Sequence, residues 1–306
     1  MSVPHARVIV NPVAGAYSVR KEWPRISQQL HAVGLSFDHV FTAGAGHAVE
    51  LARLAADSGY RYIIAVGGDG TVNEVVNGLL NSIGSHNTIL GILNFGTAGS
   101  FARSLGIAQD VGACSHLTEQ RRVSIDVGLV KCWRQGQPIE SFFINVADVG
   151  FGSAVADAWK RLPNRFGRNI NLIIRTFEGL RRLSIHRNRL VKLQVGDEVA
   201  TACSCDVVIA NGQYFANGMQ IAPHAKLDDG LFDVVTVGDV SKSELLKIWP
   251  TLYRGDHIHH PKIRERKAAN VTIESDEPLL VEADGVIFGE TPASFRVLPS
   301  ALTVVV

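Results

Sequence analysis

A chain of 306 residues is longer than one hydrophobic core usually serves, so two domains or one elaborated domain are expected. With 46% apolar residues, 19% charged residues and 29 glycines, the composition belongs to a globular protein rich in tight turns, and it excludes disorder and collagen-like repeats. A formal net charge of +1 leaves no overall attraction for nucleic acid, so an acidic partner would have to be met by a local patch.

Met1 to Arg7 hold no charged region followed by an apolar stretch, and no apolar run approaches the ~18 residues of a spanning helix. The expectation is a cytoplasmic protein that does not cross a membrane. Cys114, Cys132, Cys203 and Cys205 have neither disulfide-framework nor zinc spacing and read as free thiols.

In chain order, short β-branched runs at 6–10, 37–41, 62–66, 88–93 and 123–127 alternate with amphipathic helical stretches such as 47–56. That alternation predicts βαβ units and a mostly parallel sheet. After about residue 130 strand-like runs dominate, at 141–147, 190–195, 204–210, 231–237, 270–274 and 301–306, with Gly196-Asp197 as a hairpin turn. One helical insertion interrupts them, its apolar stripe drawn from Ile170, Ile173, Ile174, Phe177, Leu180 and Leu183. The predicted fold class is therefore α/β, with an N-terminal mostly parallel domain over 1–130 followed by a predominantly β domain over 131–306.

The run Tyr62 to Val66 ends in Gly67-Gly68-Asp69-Gly70-Thr71. Glycines there free the backbone and clear Cβ atoms, so that consecutive N–H groups can approach an anion. Thr71-Val72-Asn73-Glu74 has the spacing of a capping box and predicts that a helix starts at Thr71. A helix N-terminus beyond a parallel strand is a phosphate site. Taken alone, such a loop is equally a well-capped turn. Asp69 favours the functional reading, because a carboxylate inside a phosphate loop needs a cation or a chemical role. A second loop, Asn94 to Ser100, follows the fourth strand. Neither a P-loop string nor a Rossmann fingerprint is present.

Together with Val10-Asn11-Pro12, Thr42, Gly96-Thr97, Phe101-Ala102-Arg103, Asp126-Val127-Gly128, Asn145 to Gly152, Asn211-Gly212, Ile221-Ala222-Pro223, Asp229-Gly230-Leu231, Asp284-Gly285 and Phe295 to Pro299, this loop makes the chain resemble the diacylglycerol and sphingosine kinase catalytic family and its bacterial lipid-kinase relatives. The resemblance implies an ATP site made by Asn11, Pro12, Thr42, Gly68, Asp69, Gly70, Thr71, Val72, Asn73, Glu74 and Thr97. It implies a Mg²⁺ held by Lys226, Asp229 and Leu231, two of them through backbone carbonyls. It also implies that the second domain, 131–306, is a β-sandwich whose last strand returns to the first domain, and that the ATP γ-phosphate is transferred to a lipid hydroxyl, that of diacylglycerol first. Read without the resemblance, Asp228-Asp229-Gly230 is also simply a good turn.

The family carries Asp-Gly-Glu near its C-terminus, with the general base on that carboxylate pair, whereas this chain has Asp284-Gly285-Val286. Asp284 is thus the first catalytic candidate and Asp69 the second. An NAD-kinase-like enzyme acting on a soluble hydroxyl, and an inactive nucleotide- or lipid-binding relative, are the competing readings. Ten Lys or Arg residues against one acid, Glu178, lie between Lys160 and Lys192. They read as a solvated face or as a patch for an anionic bilayer, which would hold the protein peripherally at the inner membrane face. Asp256 to His260 reads as a histidine-containing loop rather than a metal site.

Overall fold

The computed structural model describes residues 5–83, 88–96, 98–107, 111–119, 121–162, 168–216 and 218–306. The first half alternates β1 (Ala6–Val10), α1 (Ala14–Ala32), β2 (Phe37–Phe41), α2 (His47–Asp57), β3 (Tyr62–Gly67), α3 (Asp69–Leu80), β4 (Ile89–Asn94) and α4 (Ser100–Ser104). The four strands pair in parallel in the order β4-β3-β1-β2. Every residue of β3 is buried, as a central strand covered on both faces requires. Ile63 and Ala65 face a core with α2 and α3, while Tyr62, Ile64 and Val66 face one with α1.

The second half holds β5 (Arg122–Arg134), β6 (Gln137–Phe143), β7 (Val146–Gly150), α5 (Phe151–Arg161), α6 (Arg168–Ile185), β8 (Arg189–Val195), β9 (Glu198–Ser204) and β10 (Asp206–Ala210). After the short strands β11 (Tyr214–Phe215) and β12 (Met219–Gln220) come β13 (Phe232–Val237), α7 (Lys242–Ile248), β14 (Ile263–Ala268), β15 (Asn270–Ser275), β16 (Leu280–Ala283) and β17 (Val286–Val305). Gly196 turns β8 into β9 as expected, at φ +58°.

Strands β14, β13, β10, β7 and β16 form one antiparallel layer whose two faces differ by the period-2 rule. Ala147, Val149, Val207, Ile209 and Val234 face the sandwich core, where Phe143 stacks on Phe232 at 5.5 Å. Val146, Val208, Ala210 and Val235 face α5 and α7. Long β5 and β17 join the halves. Val127–Lys131 pair with Ser294–Leu298, Arg122–Ile125 pair with Leu302–Val305, and Thr303 and Val304 lie parallel to Ile89 and Leu90 of β4.

Three local expectations are corrected. The run 141–147 is two strands broken at Ile144 and Asn145, because the backbone N–H groups of Ile144, Asn145 and Val146 turn to the Asp284 carboxylate instead of a neighbouring strand. Among the described residues of this half the helical insertion is joined by two further α-helices, α5 and α7, where strand-like runs were expected to dominate; α7 has only 7 residues, and α5 follows directly on the strand that ends at Gly150. Helix α3 starts at Asp69 with Gly68 as N-cap, two residues before Thr71. Thr71 Oγ1 instead accepts from Asn11 Nδ2 at 2.9 Å, and the Glu74 carboxylate accepts from Gly46 and Ala48 N–H at the start of α2.

Helix α3 is tied to the second half by Asn77, which accepts from Phe142 N–H at 2.9 Å and from Ser141 Oγ–H at 3.0 Å, and donates to Phe142 O at 2.9 Å. Asn77→Ala leaves the Phe142 N–H without an acceptor and is expected to destabilise the protein by about 1–3 kcal/mol in urea denaturation. A midpoint identical to wild type would show that this seam carries no stability.

Candidate active site

Strand order reverses between β1 and β3, so the crevice beyond their carboxyl ends is the topological switch point where open α/β sheets take ligands. Asn11 and Pro12 follow β1, Thr42 follows β2, and the loop Gly68-Asp69-Gly70 follows β3. Asn11 N–H donates to Val66 O at 2.9 Å, and Thr42 N–H donates to Val10 O at 2.9 Å, so these residues are drawn onto the strand ends. Gly68 and Gly96 bring the two glycine loops into backbone contact: a Cβ on Gly96 would lie 2.5 Å from the Gly68 Cα. Only glycine fits at such an approach.

Asp69 is not a free carboxylate. Its oxygens accept from Ser100 N–H at 3.2 Å and Phe101 N–H at 3.1 Å, which anchors α4 beside the loop. Three further residues expected to hold nucleotide lie behind the loop. Val72 is in the core, Asn73 donates to Phe142 O at 3.1 Å and to Asp284 Oδ2 at 2.9 Å, and Glu74 caps α2. Thr97 lies outside the described residues.

Asp284 and Gly285 are the two-residue turn of the β16–β17 hairpin, at φ +48° and +82°, the left-handed pair that such turns demand. The Asp284 carboxylate sits across the seam between the halves. It accepts from Asn73 Nδ2 at 2.9 Å and from the N–H groups of Ile144, Asn145 and Val146 at 2.8, 3.0 and 3.1 Å. Burial pushes its carboxyl up to about 6 against the pull of these four donors.

Behind this seam opens a cavity of about 360 Å³. Asp69, Ser100, Asp284 and Gly285 line it at the glycine loops, and Trp159, Phe215, Met219, Leu245, Ile248 and Trp249 line it within the second half. Three further acids, Asp148, Asp206 and Glu282, line the same cavity. Sequence reading missed them, although each interrupts an otherwise apolar strand, in Val146-Ala147-Asp148-Val149, Asp206-Val207-Val208 and Val281-Glu282-Ala283. Period 2 puts all three on the helix-covered face of the sheet, and Glu282 is the cross-strand partner of Asp148. His257 was also missed: it is buried, lines the cavity and bonds through Nε2 to Ile221 O at 2.9 Å.

Lys226, Asp229 and Leu231 do not line this cavity. They lie on a turn held by Asp126, which accepts from Gly230 N–H at 2.7 Å. Asp229 accepts from Leu231 N–H at 3.1 Å and from Lys267 Nζ at 2.8 Å, and the same ammonium reaches Asp233 at 3.2 Å. One carboxylate with two backbone carbonyls is the hard-oxygen chemistry that Mg²⁺ takes. A metal at Asp229 would displace Lys267. Among the described residues no cluster of three His, Cys, Asp or Glu side chains is set to hold a metal, and no helix is long and apolar enough to cross a membrane.

Comparison with known proteins follows the two halves. Residues 5–130 match the diacylglycerol kinase catalytic domain, and residues 147–306, just over half of the chain, match the YegS C-terminal NAD kinase beta sandwich-like domain. A diacylglycerol kinase of Staphylococcus saprophyticus is 26% identical over 291 residues, covering 95% of this chain and 91% of that protein. One from Staphylococcus haemolyticus is 28% identical, covering 95% and 84%. The crystal structure of a diacylglycerol kinase from Bacillus anthracis superposes with a TM-score of 0.74 at 23% identity, over 99% of this chain and 96% of that one. Yeast NADH kinase complexed with NADH gives 0.51 at 9% identity, over 99% and 83%. At these identities the two structures share the fold alone.

The acids of the cavity wall set a pH dependence. Asp148 Oδ1 accepts from Ser153 N–H at 2.5 Å and Asp206 accepts from Gly152 N–H at 3.1 Å, so both hold the first turn of α5. Asp148 Oδ2 and Asp206 Oδ1 are buried and meet no N–H or O–H donor, an arrangement that one proton between the two carboxyls satisfies. Burial raises Asp148 to about 6; burial and then the Asp148 charge raise Asp206 well above the usual range. An acid whose folded pKa is raised stabilises the fold most below its unfolded pKa, near ~4, and loses that contribution as pH rises through ~6. The melting temperature is expected to fall by roughly 2–6 °C between pH 5 and pH 7.5. Asp206→Asn should flatten that slope in differential scanning calorimetry. Equal slopes in the two proteins would refute the shared proton.

Proposed function

Because the chain belongs to the diacylglycerol kinase catalytic-domain family, in its bacterial form, we propose that it transfers the γ-phosphate of ATP to a lipid hydroxyl, that of diacylglycerol first, giving phosphatidic acid and ADP. The observation that carries the lipid reading is the cavity. It begins at the glycine loops with Asp69 and Asp284 and continues into an apolar space walled by Trp159, Trp249, Leu245 and Ile248. Burying acyl chains there recovers about 0.8 kcal/mol per methylene. A soluble nucleoside acceptor, as an NAD-kinase-like reaction would need, calls for polar donors along the wall. Beyond its acidic mouth this wall is mostly apolar, with Lys160, Arg175 and His257 as its polar members.

On this reading Asn11, Pro12, Thr42, Thr97 and the loop Gly68 to Thr71 bind the nucleotide, with the N-terminal N–H groups of α3 directed at its phosphates. Val72, Asn73 and Glu74 fix the loop from behind. Mg²⁺, when bound, neutralises the charge that builds on the phosphoryl oxygens. A second Mg²⁺ at Lys226, Asp229 and Leu231 would exchange with the Lys267 ammonium and stiffen the turn that Asp126 holds.

Helix α6 supports a peripheral membrane site. Phe177, Leu180 and Ile185 are 69%, 48% and 58% exposed, so two members of the apolar stripe and the nearby Ile185 turn outward, while Leu183 is buried. Arg181, Arg182 and Arg187 flank it, and Arg175, on the same helix, lines the cavity and accepts at its carbonyl from Trp159 Nε1 at 3.0 Å. Exposed apolar side chains with basic neighbours suit the headgroup region of an anionic bilayer. A lipid leaving that bilayer would meet the cavity without crossing water.

With radiolabelled ATP and diacylglycerol in mixed micelles, phosphatidic acid is the expected product. Ala156→Trp, which fills the cavity, should lower kcat/KM for the lipid by ~10-fold or more while leaving the KM for ATP within ~3-fold. Label appearing on NAD instead of on lipid would overturn this reading. Paired substitution of Phe177 and Leu180 by Ser should reduce co-sedimentation with phosphatidylglycerol vesicles by ~10-fold or more. Unchanged co-sedimentation would remove α6 as the membrane contact.

A further inference from the structure

Five carboxylates line the cavity, at Asp69, Asp148, Asp206, Glu282 and Asp284, and their hydrogen bonds separate them. Each Asp69 oxygen accepts one of the first N–H groups of α4, which ties the carboxylate to that helix. Asp284 spends both oxygens on four N–H donors, which leaves no lone pair for an incoming proton. Asp148 and Asp206 each give one oxygen to the first turn of α5 and keep the other buried, away from solvent. Val286, the residue after the hairpin turn, has no proton acceptor at all.

Glu282 differs from each of these. It is 7% exposed, on the cavity face of β16, and one oxygen, Oε1, accepts from the Gly285 N–H of the hairpin turn. That bond holds its carboxylate at the end of the cavity where Asp284 and Gly285 meet the glycine loops. Among the described residues no donor is bonded to Oε2.

We propose that Glu282 is the general base that takes the proton of the lipid hydroxyl, with Asp284 a positioning residue that locks the hairpin turn carrying it. This inference rests on the kinase reading. As the hydroxyl oxygen forms its bond to the γ-phosphorus, the bridging P–O bond to ADP breaks, ADP leaves with the electron pair, and the hydroxyl proton passes to Glu282 Oε2. Burial, and then the charges of Asp148 and Asp284, raise the Glu282 carboxyl well above its ordinary range. A carboxylate with a raised pKa is, once ionised, a stronger base than an ordinary one.

Glu282→Gln tests this in the 306-residue chain, because glutamine keeps an oxygen for the Gly285 N–H and cannot take the proton. With ATP and diacylglycerol as substrates, kcat is expected to fall ~10²-fold or more, with both KM values within ~3-fold of wild type. The acid limb of the kcat/KM profile should vanish in Glu282→Gln and persist in Glu282→Asp. The melting temperature should be unchanged or higher, since a carboxylate beside Asp148 and Asp284 has gone. A kcat within ~3-fold of wild type, an acid limb that survives in Glu282→Gln, or a loss of activity tracking a lowered melting temperature would each overturn the base assignment and leave the kinase reading standing. Wild-type protein that phosphorylates no lipid would remove the kinase reading, and this assignment with it.

Discussion

Everything at the centre of this molecule depends on one carboxylate being satisfied by groups from both halves. Asp284 draws three consecutive N–H groups out of what would otherwise be a continuous strand and takes a fourth from Asn73, one turn into the helix that the glycine loop begins. A buried anion with four donors is stable only while all four stay in place, and losing even one leaves the charge poorly solvated. The seam therefore fixes distance and angle between the phosphate loop and the cavity. A cleft assembled from two halves acquires the rigidity of a single element.

That arrangement divides labour among acids which sequence alone cannot tell apart. Asp69 and Asp126 hold backbone, one at the start of α4 and the other at the turn through Gly230. Asp148 and Asp206 hold the first turn of the helix that walls the cavity. Each of these carboxylates holds backbone N–H groups, and only Asp284 has donors enough to fill both of its oxygens. The apolar cavity wall then strengthens electrostatic effects at its mouth, because the few polar groups there are poorly screened by water.

The parallel sheet was legible because its central strands are buried on both faces and so read as unbroken apolar, largely β-branched runs, as in Tyr62 to Gly67. The loop that follows β3 was equally legible, since few contexts require so many glycines around one carboxylate. What escaped was set by distant partners. Nothing local in Ile144-Asn145 announces that the strand must break, because the cause lies about 140 residues further along, at Asp284. The Thr71 capping box had the right spacing, but Asn11 and the start of α2 competed successfully for the same side chains. Glu282 and Asp148 looked like ordinary polar interruptions until the pairing of β16 with β7 showed them side by side on an interior face.

The path of β17 has a consequence for how such a molecule comes into being. Its 20 residues run from the hairpin at the active site, along the sandwich, to a parallel pairing of Thr303 and Val304 with β4. During synthesis the parallel sheet of the first half thus lacks the strand that pairs with β4 until β17 has been made, long after β4 itself. Folding of the first half cannot finish ahead of the second. The glycine loop and the cavity are thus joined by one strand, which begins beside the Asp284-Gly285 turn and ends beside β4.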